Sequence, residues 1–266
     1  MLLHDSVYPA ATSTPTDLAH VILTRFNLRM FREQGGIDDV AGLQQWVDRR
    51  LPVFADVCLP SVVGQVSRPH RWLIGVDGLH PEMVEPLAEL CAPYPWVVLV
   101  EQREDDTFRE PYRRAMSRDD VPTATHVLTT RLDCDDALAL DYVRTADAYA
   151  AAVLAADAAP DDFWMSFPVG AQLAKGRFRL YVHTTNHFLT RVVVAGDHVS
   201  RDATALAEAH SKVFRLGQPV FLPMTSTPMW LQNVHDHNVL NKVRGSFALG
   251  PPPRLAEHFG IRLRGG

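Results

Sequence analysis

Four short apolar runs alternate with stretches of helical spacing, and that alternation constrains this chain more than any other feature. The runs cover residues 20–26, 71–77, 96–100 and 125–132, rich in Val, Ile, Leu and Trp. Runs this short, bounded by polar or turn residues, read as buried strands. Between them, residues 40–65 carry Leu43, Trp46, Val47, Leu51, Phe54, Val57, Leu59 and Val62, with Pro52 and Pro60 expected to split the stretch into two helices. Residues 81–90 form a further helical stretch, and an alanine-rich helix is expected from about Ala137. Strands alternating with helices predict an α/β fold: an α/β/α sandwich around a mainly parallel sheet.

After Pro160 the pattern changes. Residues 163–169, 177–184 and 189–194 are alternating or β-branched, joined by Gly170, Gly176 and Asn186, and are expected to add hairpin strands to the same sheet in the C-terminal half. Residues 203–213 read as a short helix, and the chain beyond Phe221 is rich in Pro and Gly.

The 266 residues, 47% hydrophobic and 21% charged, suffice for a sizeable core. Residues 1–18 read as a flexible tail without the apolar run of a signal peptide, and residues 19–266 as one domain whose halves meet near residue 136. A net charge of −5 and a pI near 6.2 argue against nucleic acid as the main partner. Cys58, Cys91 and Cys134 are widely spaced, suggesting neither a disulfide framework nor a zinc site, so a reducing cytoplasm is expected. No stretch approaches the apolar length of a membrane span. The oligomeric state is not encoded in any of these features.

The chemistry concentrates in Thr129-Thr130-Arg131-Leu132-Asp133-Cys134-Asp135-Asp136, a strand that ends in a cluster of acids. In open α/β sheets, sites form at the carboxyl ends of strands. Carboxylates this close repel one another, and Mg²⁺ or Mn²⁺ would supply the missing charge while binding phosphate oxygens. The alternative is helix capping by Asp135 or Asp136. A second cluster, His235-Asp236-His237, would place two imidazoles on one face of an extended segment, or would be ordinary surface loop. Cys134 reads as a small filler whose acidic neighbours suppress its thiolate. Trp164 and Trp230 fit either a sugar platform or the core.

Three blocks in order, WVDRRLPVFADVCLPSVVGQ with RWLIGVDG, TTRLDCDDAL and PMWLQNVHDHNVLNK, resemble the rhamnosyltransferase family of bacterial glycosyltransferases with the GT-A fold. The resemblance covers roughly residues 19–241. It implies a metal-dependent transferase taking a nucleoside-diphosphate sugar donor and a hydroxyl-bearing acceptor, with Mn²⁺ or Mg²⁺ as cofactor. A DxD motif would lie at Asp133 and Asp135, Asp133 facing nucleotide or metal and Asp135 the metal, with His235 as the late ligand. Where a small residue is expected after that histidine this chain has Asp236, leaving His237 as a fallback.

Thr24, Arg25, Phe26 and Asp77 would contact base and ribose, and Arg113, Arg114 and Arg131 are diphosphate candidates or structural ion-pair partners. Inverting transfer needs a base for the acceptor hydroxyl. Among Asp161, Asp162, Asp202, Glu208 and His210, Asp162 is the choice. The rival readings are a metal-dependent phosphohydrolase or nucleotidyltransferase and a non-catalytic nucleotide-sugar-binding protein.

Overall fold

The structure is a computed structural model that describes residues 17–30, 39–116, 124–197, 202–235, 243–244, 247–249 and 252–263. Its main sheet has seven strands in the order β10-β6-β9-β4-β1-β2-β3. β1 (Leu18–Arg25), β2 (Arg71–Asp77), β3 (Val97–Gln102) and β4 (His126–Asp133) form its parallel half. β6 (Asp162–Met165), β9 (Thr190–Val194) and β10 (Val220–Phe221) extend it, β9 running antiparallel to both neighbours. The mixed α/β fold with a mainly parallel sheet is the one the alternation predicts.

β1 shows why the runs lack a polar face. Ile22 and Phe26 pack into one cluster with Leu43, Phe54, Val62 and Tyr142, while Val21 and Leu23 pack into another with Tyr112 and Met116. A strand covered on both sides reads as continuous hydrophobe. The first layer is built from α1 (Val40–Val53), α2 (Leu59–Val63) and α5 (Tyr142–Leu154), the second from α4 (Glu110–Met116). α3 (Glu85–Cys91) adds Leu87 and Cys91 to the first.

The expected break at Pro52 does not occur. Pro52 sits inside α1, and a π-helical turn at Phe54–Cys58 carries the helix on into α2 past Pro60.

Three expectations for the C-terminal half are corrected. The hairpin strands divide between two sheets: β6 and β9 join the main sheet, but β7 (Val169–Ala174) and β8 (Arg177–Val182) pair with β11 (Trp230–Val234), β5 (Ala137–Leu138) and β12 (Phe247–Ala248) in a second, five-stranded sheet. The helix expected from Ala137 starts at Tyr142, because Ala137 and Leu138 pair instead with Leu231 and Trp230. Residues 203–213 hold only the start of a 3₁₀ turn, His210–Arg215. A terminal helix, α6 (Pro252–Phe259), covers the second sheet through Phe259. Among the described residues no helix is long and apolar enough to cross a membrane.

Candidate active site

In the order β3-β2-β1-β4 the chain winds outward in both directions from β1, so the crevice between the carboxyl ends of β1 and β4 is the topological switch point, where open α/β sheets bind ligands. Arg25 and Asp133 end those strands as register partners. Arg25 Nη2 donates to Asp133 Oδ1 at 2.7 Å, and Arg131, two residues back on the same strand face, donates to Oδ2 at 3.2 Å. Burial opposes ionisation of Asp133, but Arg131 and Arg25 outweigh it and hold the carboxyl well below its usual range.

Beyond Asp133 the chain turns, Asp136 N–H bonding back to the Asp133 carbonyl at 3.1 Å. That turn aims Asp136 across the crevice. Its Oδ1 accepts from Asn233 N–H at 2.8 Å, and its Oδ2 lies 2.7 Å from His187 Nε2. His187 Nε2 is also 3.9 Å from Asp133 Oδ2. Among the described residues, Asp133, Asp136 and His187 alone bring three metal-capable atoms together, all within 4.8 Å of one another.

The charge balance fits a cation. Burial, then Asp135 and Asp133, push the Asp136 carboxyl well above its ordinary range, so it competes for a proton. Burial lowers His187 to about 4, with Arg131 and Arg25 adding to the effect against the pull of Asp133. Its imidazole is neutral at pH 7 and offers a lone pair. A carboxylate that would otherwise need a proton, beside a neutral imidazole and a second carboxylate, is a donor set that a divalent cation satisfies.

The predicted ligands thus divide. Asp133 is in the cluster, whereas Asp135 turns the other way to an ion pair with Arg50 and lies 3.1 Å from His235 Nε2. His237, the fallback, lies outside the described residues. Capping does not explain Asp135 or Asp136, since α5 begins six residues after Asp136. Burial pushes the Cys134 thiol up, which leaves it unreactive.

Packing gives four further candidates structural partners. Thr24 and Phe26 are fully buried: Thr24 Oγ1 accepts from Trp72 Nε1 at 2.8 Å, and Phe26 stacks edge-on with Trp46 and Phe54. Neither side chain faces the crevice. Asp77 ends β2 as expected, but it is buried, its N–H bonded to Asn27 Oδ1 and its Oδ1 capping Leu79 N–H. Arg114 spends two donors on Asp106, both at 2.6 Å, and a third contact on the Glu101 carbonyl. Arg113 is half-exposed, with Glu110 beside it at 3.9 Å. Trp164 and Trp230 are core.

Asp162 is the largest displacement. It pairs through Val193 with the level of Val127, six residues before Asp133 on β4, or about 20 Å away at the strand rise. There it accepts two bonds from Arg191, at 2.9 and 2.8 Å. It is a structural ion-pair partner at the wrong end of the sheet.

In the sequence the DxD spacing favours Asp133 and Asp135 over Asp136, and His187 carries no local signal at all. His210, one of the five candidate bases in the sequence, has its ring centroid 6.1 Å from that of His187. Its Nδ1 is 2.6 Å from the Thr185 carbonyl, so Nδ1 carries the hydrogen and Nε2 the lone pair.

With this geometry in hand, a family model whose description is "Putative rhamnosyl transferase" matches residues 40–246, most of the chain. The chain belongs to this family. Its match begins with α1, leaves out β1 and β12, and contains Asp133, Asp136, His187 and His235. No curated protein matches the chain. Among solved structures, 4-diphosphocytidyl-2C-methyl-D-erythritol synthase from Anaerococcus prevotii is 12% identical over 86% of this chain and 92% of its own, with a TM-score of 0.37. A "putative nucleotide-diphospho-sugar transferase" from Desulfovibrio desulfuricans is 12% identical over 83% of each chain, with a TM-score of 0.36. Both likenesses are too loose for residue-by-residue comparison of sites.

Proposed function

We propose that this rhamnosyl transferase family member is a metal-dependent glycosyltransferase that moves a sugar from a nucleoside-diphosphate donor to a hydroxyl acceptor. The observation that carries the reading is the meeting of Asp133, Asp136 and His187 at the switch point, flanked by Arg25 and Arg131. Asp133, Asp136 and His187 would hold Mn²⁺ or Mg²⁺, which when bound supplies positive charge to a departing diphosphate. Arg25 and Arg131 orient Asp133 and add cationic charge on the same side, where diphosphate oxygens would lie. Asp135, tied to Arg50 and beside His235, holds the outer wall of the acidic turn.

His210 takes the place of Asp162 as the group that receives the acceptor proton. Its hydrogen is committed to the Thr185 carbonyl, and the remaining nitrogen is an acceptor beside His187. An imidazole so oriented can remove a proton from a hydroxyl that approaches Nε2.

The test is a thermal-shift panel of UDP, GDP and dTDP with and without Mn²⁺, since a ligand bound only by the native state raises its stability by mass action. One nucleotide is expected to stabilise the protein only with metal, and Asp133→Asn to abolish that response. A nucleotide response equal in EDTA and Mn²⁺ would remove the metal from the reading.

A further inference from the structure

The connection from β8 to β9 crosses from the second sheet to the first, and its residues 183–187 are all polar. Such a stretch would normally be a solvated loop. Here Asn186 is only 3% exposed, and its side-chain amide is saturated. Asn186 Oδ1 accepts from Phe188 N–H at 3.0 Å, and Nδ2 faces the His183 carbonyl at 2.8 Å, the Phe167 carbonyl at 2.9 Å and Ser166 Oγ at 3.0 Å. Ser166 Oγ in turn donates to the Thr184 carbonyl at 2.8 Å, and His183 N–H to the Pro168 carbonyl at 2.8 Å. One buried amide therefore closes the turn on itself and fastens it to the β6–β7 connection.

Two imidazoles depend on that turn. His187 projects from it to Asp136, and the Thr185 carbonyl is what fixes His210 Nδ1. The turn is also held from below: the His187 ring lies 4.2 Å from that of Phe188, which stacks on Trp230 at 4.8 Å and 16°. Sliding or opening of residues 183–188 would move both imidazoles at once, and side-chain packing alone does not dictate which tautomer His210 adopts. A hydrogen bond to a fixed carbonyl does.

We propose that Asn186 is a positioning residue whose buried amide sets the orientation of His187 and the tautomer of His210 together, so that the metal side and the acceptor side of the site are held in register by one turn. This deepens the transferase reading and rests on it for its catalytic consequence. The structural part stands by itself, because it concerns the imidazoles rather than the reaction.

The experiment is long-range ¹⁵N imidazole NMR on the full chain, in wild type, Asn186→Ala and Ser166→Ala, with circular dichroism to establish folding. In wild type, His210 should show a single Nδ1–H tautomer. Both variants should show averaged tautomers for His210 and shifted His187 resonances. In turnover assays kcat should fall by up to about a hundredfold, the scale of an ångström-sized misplacement, with donor KM within about threefold. Folded variants with wild-type imidazole spectra overturn the proposal, as does a loss carried wholly by KM. Should Asn186→Ala fail to fold, Ser166→Ala decides by the same spectra. Absent turnover in wild type would sink the transferase reading, while the spectra still judge Asn186.

Discussion

Asp136→Asn should separate stability from function. Oxygens of Asp133 and Asp136 lie within 4.8 Å of each other, a repulsion of roughly 3.5 kcal/mol at an effective dielectric of 20 when both are ionised. Arg25 and Arg131, together with the proton for which Asp136 competes without metal, cancel most of it, leaving about a third as net relief when the Asp136 charge is removed. Asparagine keeps the Oδ1 that accepts from Asn233 N–H and can donate to His187 Nε2, so no buried partner is orphaned. The expected result without metal is an unfolding free energy unchanged or raised by about 1 kcal/mol, or about 2–4 °C in Tm for a chain of this size. At a free Mn²⁺ concentration about 100 times its Kd, wild type gains about 2.7 kcal/mol, roughly 5–10 °C. Asp136→Asn should lose most of that shift. The assay is scanning calorimetry across a Mn²⁺ series with an EDTA baseline. A variant that loses more than about 5 °C without metal yet keeps the wild-type Mn²⁺ response would refute the reasoning, because Asp136 would then be a structural group.

Asp162→Ala should destabilise by about 3 kcal/mol by leaving Arg191 buried without its carboxylate, with kcat within about twofold of wild type; urea unfolding beside turnover checks both. Arg114→Met should leave the nucleotide response intact and lower stability at neutral pH, with the difference from wild type shrinking in acid. The hydrogen bonds from Arg114 depress Asp106 below 3.8, so the pair stabilises the fold above that pH and the contribution is lost as pH falls through the depressed value; urea midpoints from pH 5 to 2.5 should fall less steeply in the variant. Gly170→Ala would set a methyl 2.1 Å from the Trp230 ring, so it should cost about 1–3 kcal/mol or more and, by moving the Trp230–Phe188–His187 stack, weaken the Mn²⁺ shift. A Gly170→Ala protein with wild-type Tm would mean that Trp230 is not held there.

The parallel half of the fold was legible because burial on both faces writes itself into each strand: Val21 and Leu23 serve one layer, Ile22 and Phe26 the other. What sequence periodicity missed was decided by distant partners. Ala137 and Leu138 have helical propensity but pair with β11, a contact across about ninety residues that overrides a local preference of tenths of a kcal/mol. Pro252 lies in the stretch read only as rich in Pro and Gly, yet it opens α6, where a first-turn proline costs little.

The same division holds at the site. Asp133 was readable as a strand end, and its Arg25 partner follows from parallel register. His187 was not, because a lone imidazole in a turn has no spacing to mark it, and nothing local sets His210 apart from the other candidate bases Asp161, Asp162, Asp202 and Glu208. β9 brings His187 to the crevice only by running antiparallel beside β4. Asp162 shows the complementary case: its sequence position says nothing of register, which places it at the far end of the sheet from Asp133.

The most direct test mixes the protein with UDP-, GDP- and dTDP-sugars, Mn²⁺ and a panel of hydroxyl acceptors, and measures which phosphate species appears. Glycosyl transfer predicts nucleoside diphosphate released in step with glycosylated acceptor, dependent on divalent metal and lost in Asp133→Asn. Release of inorganic phosphate or nucleoside monophosphate, or product formation that persists in EDTA, would contradict it.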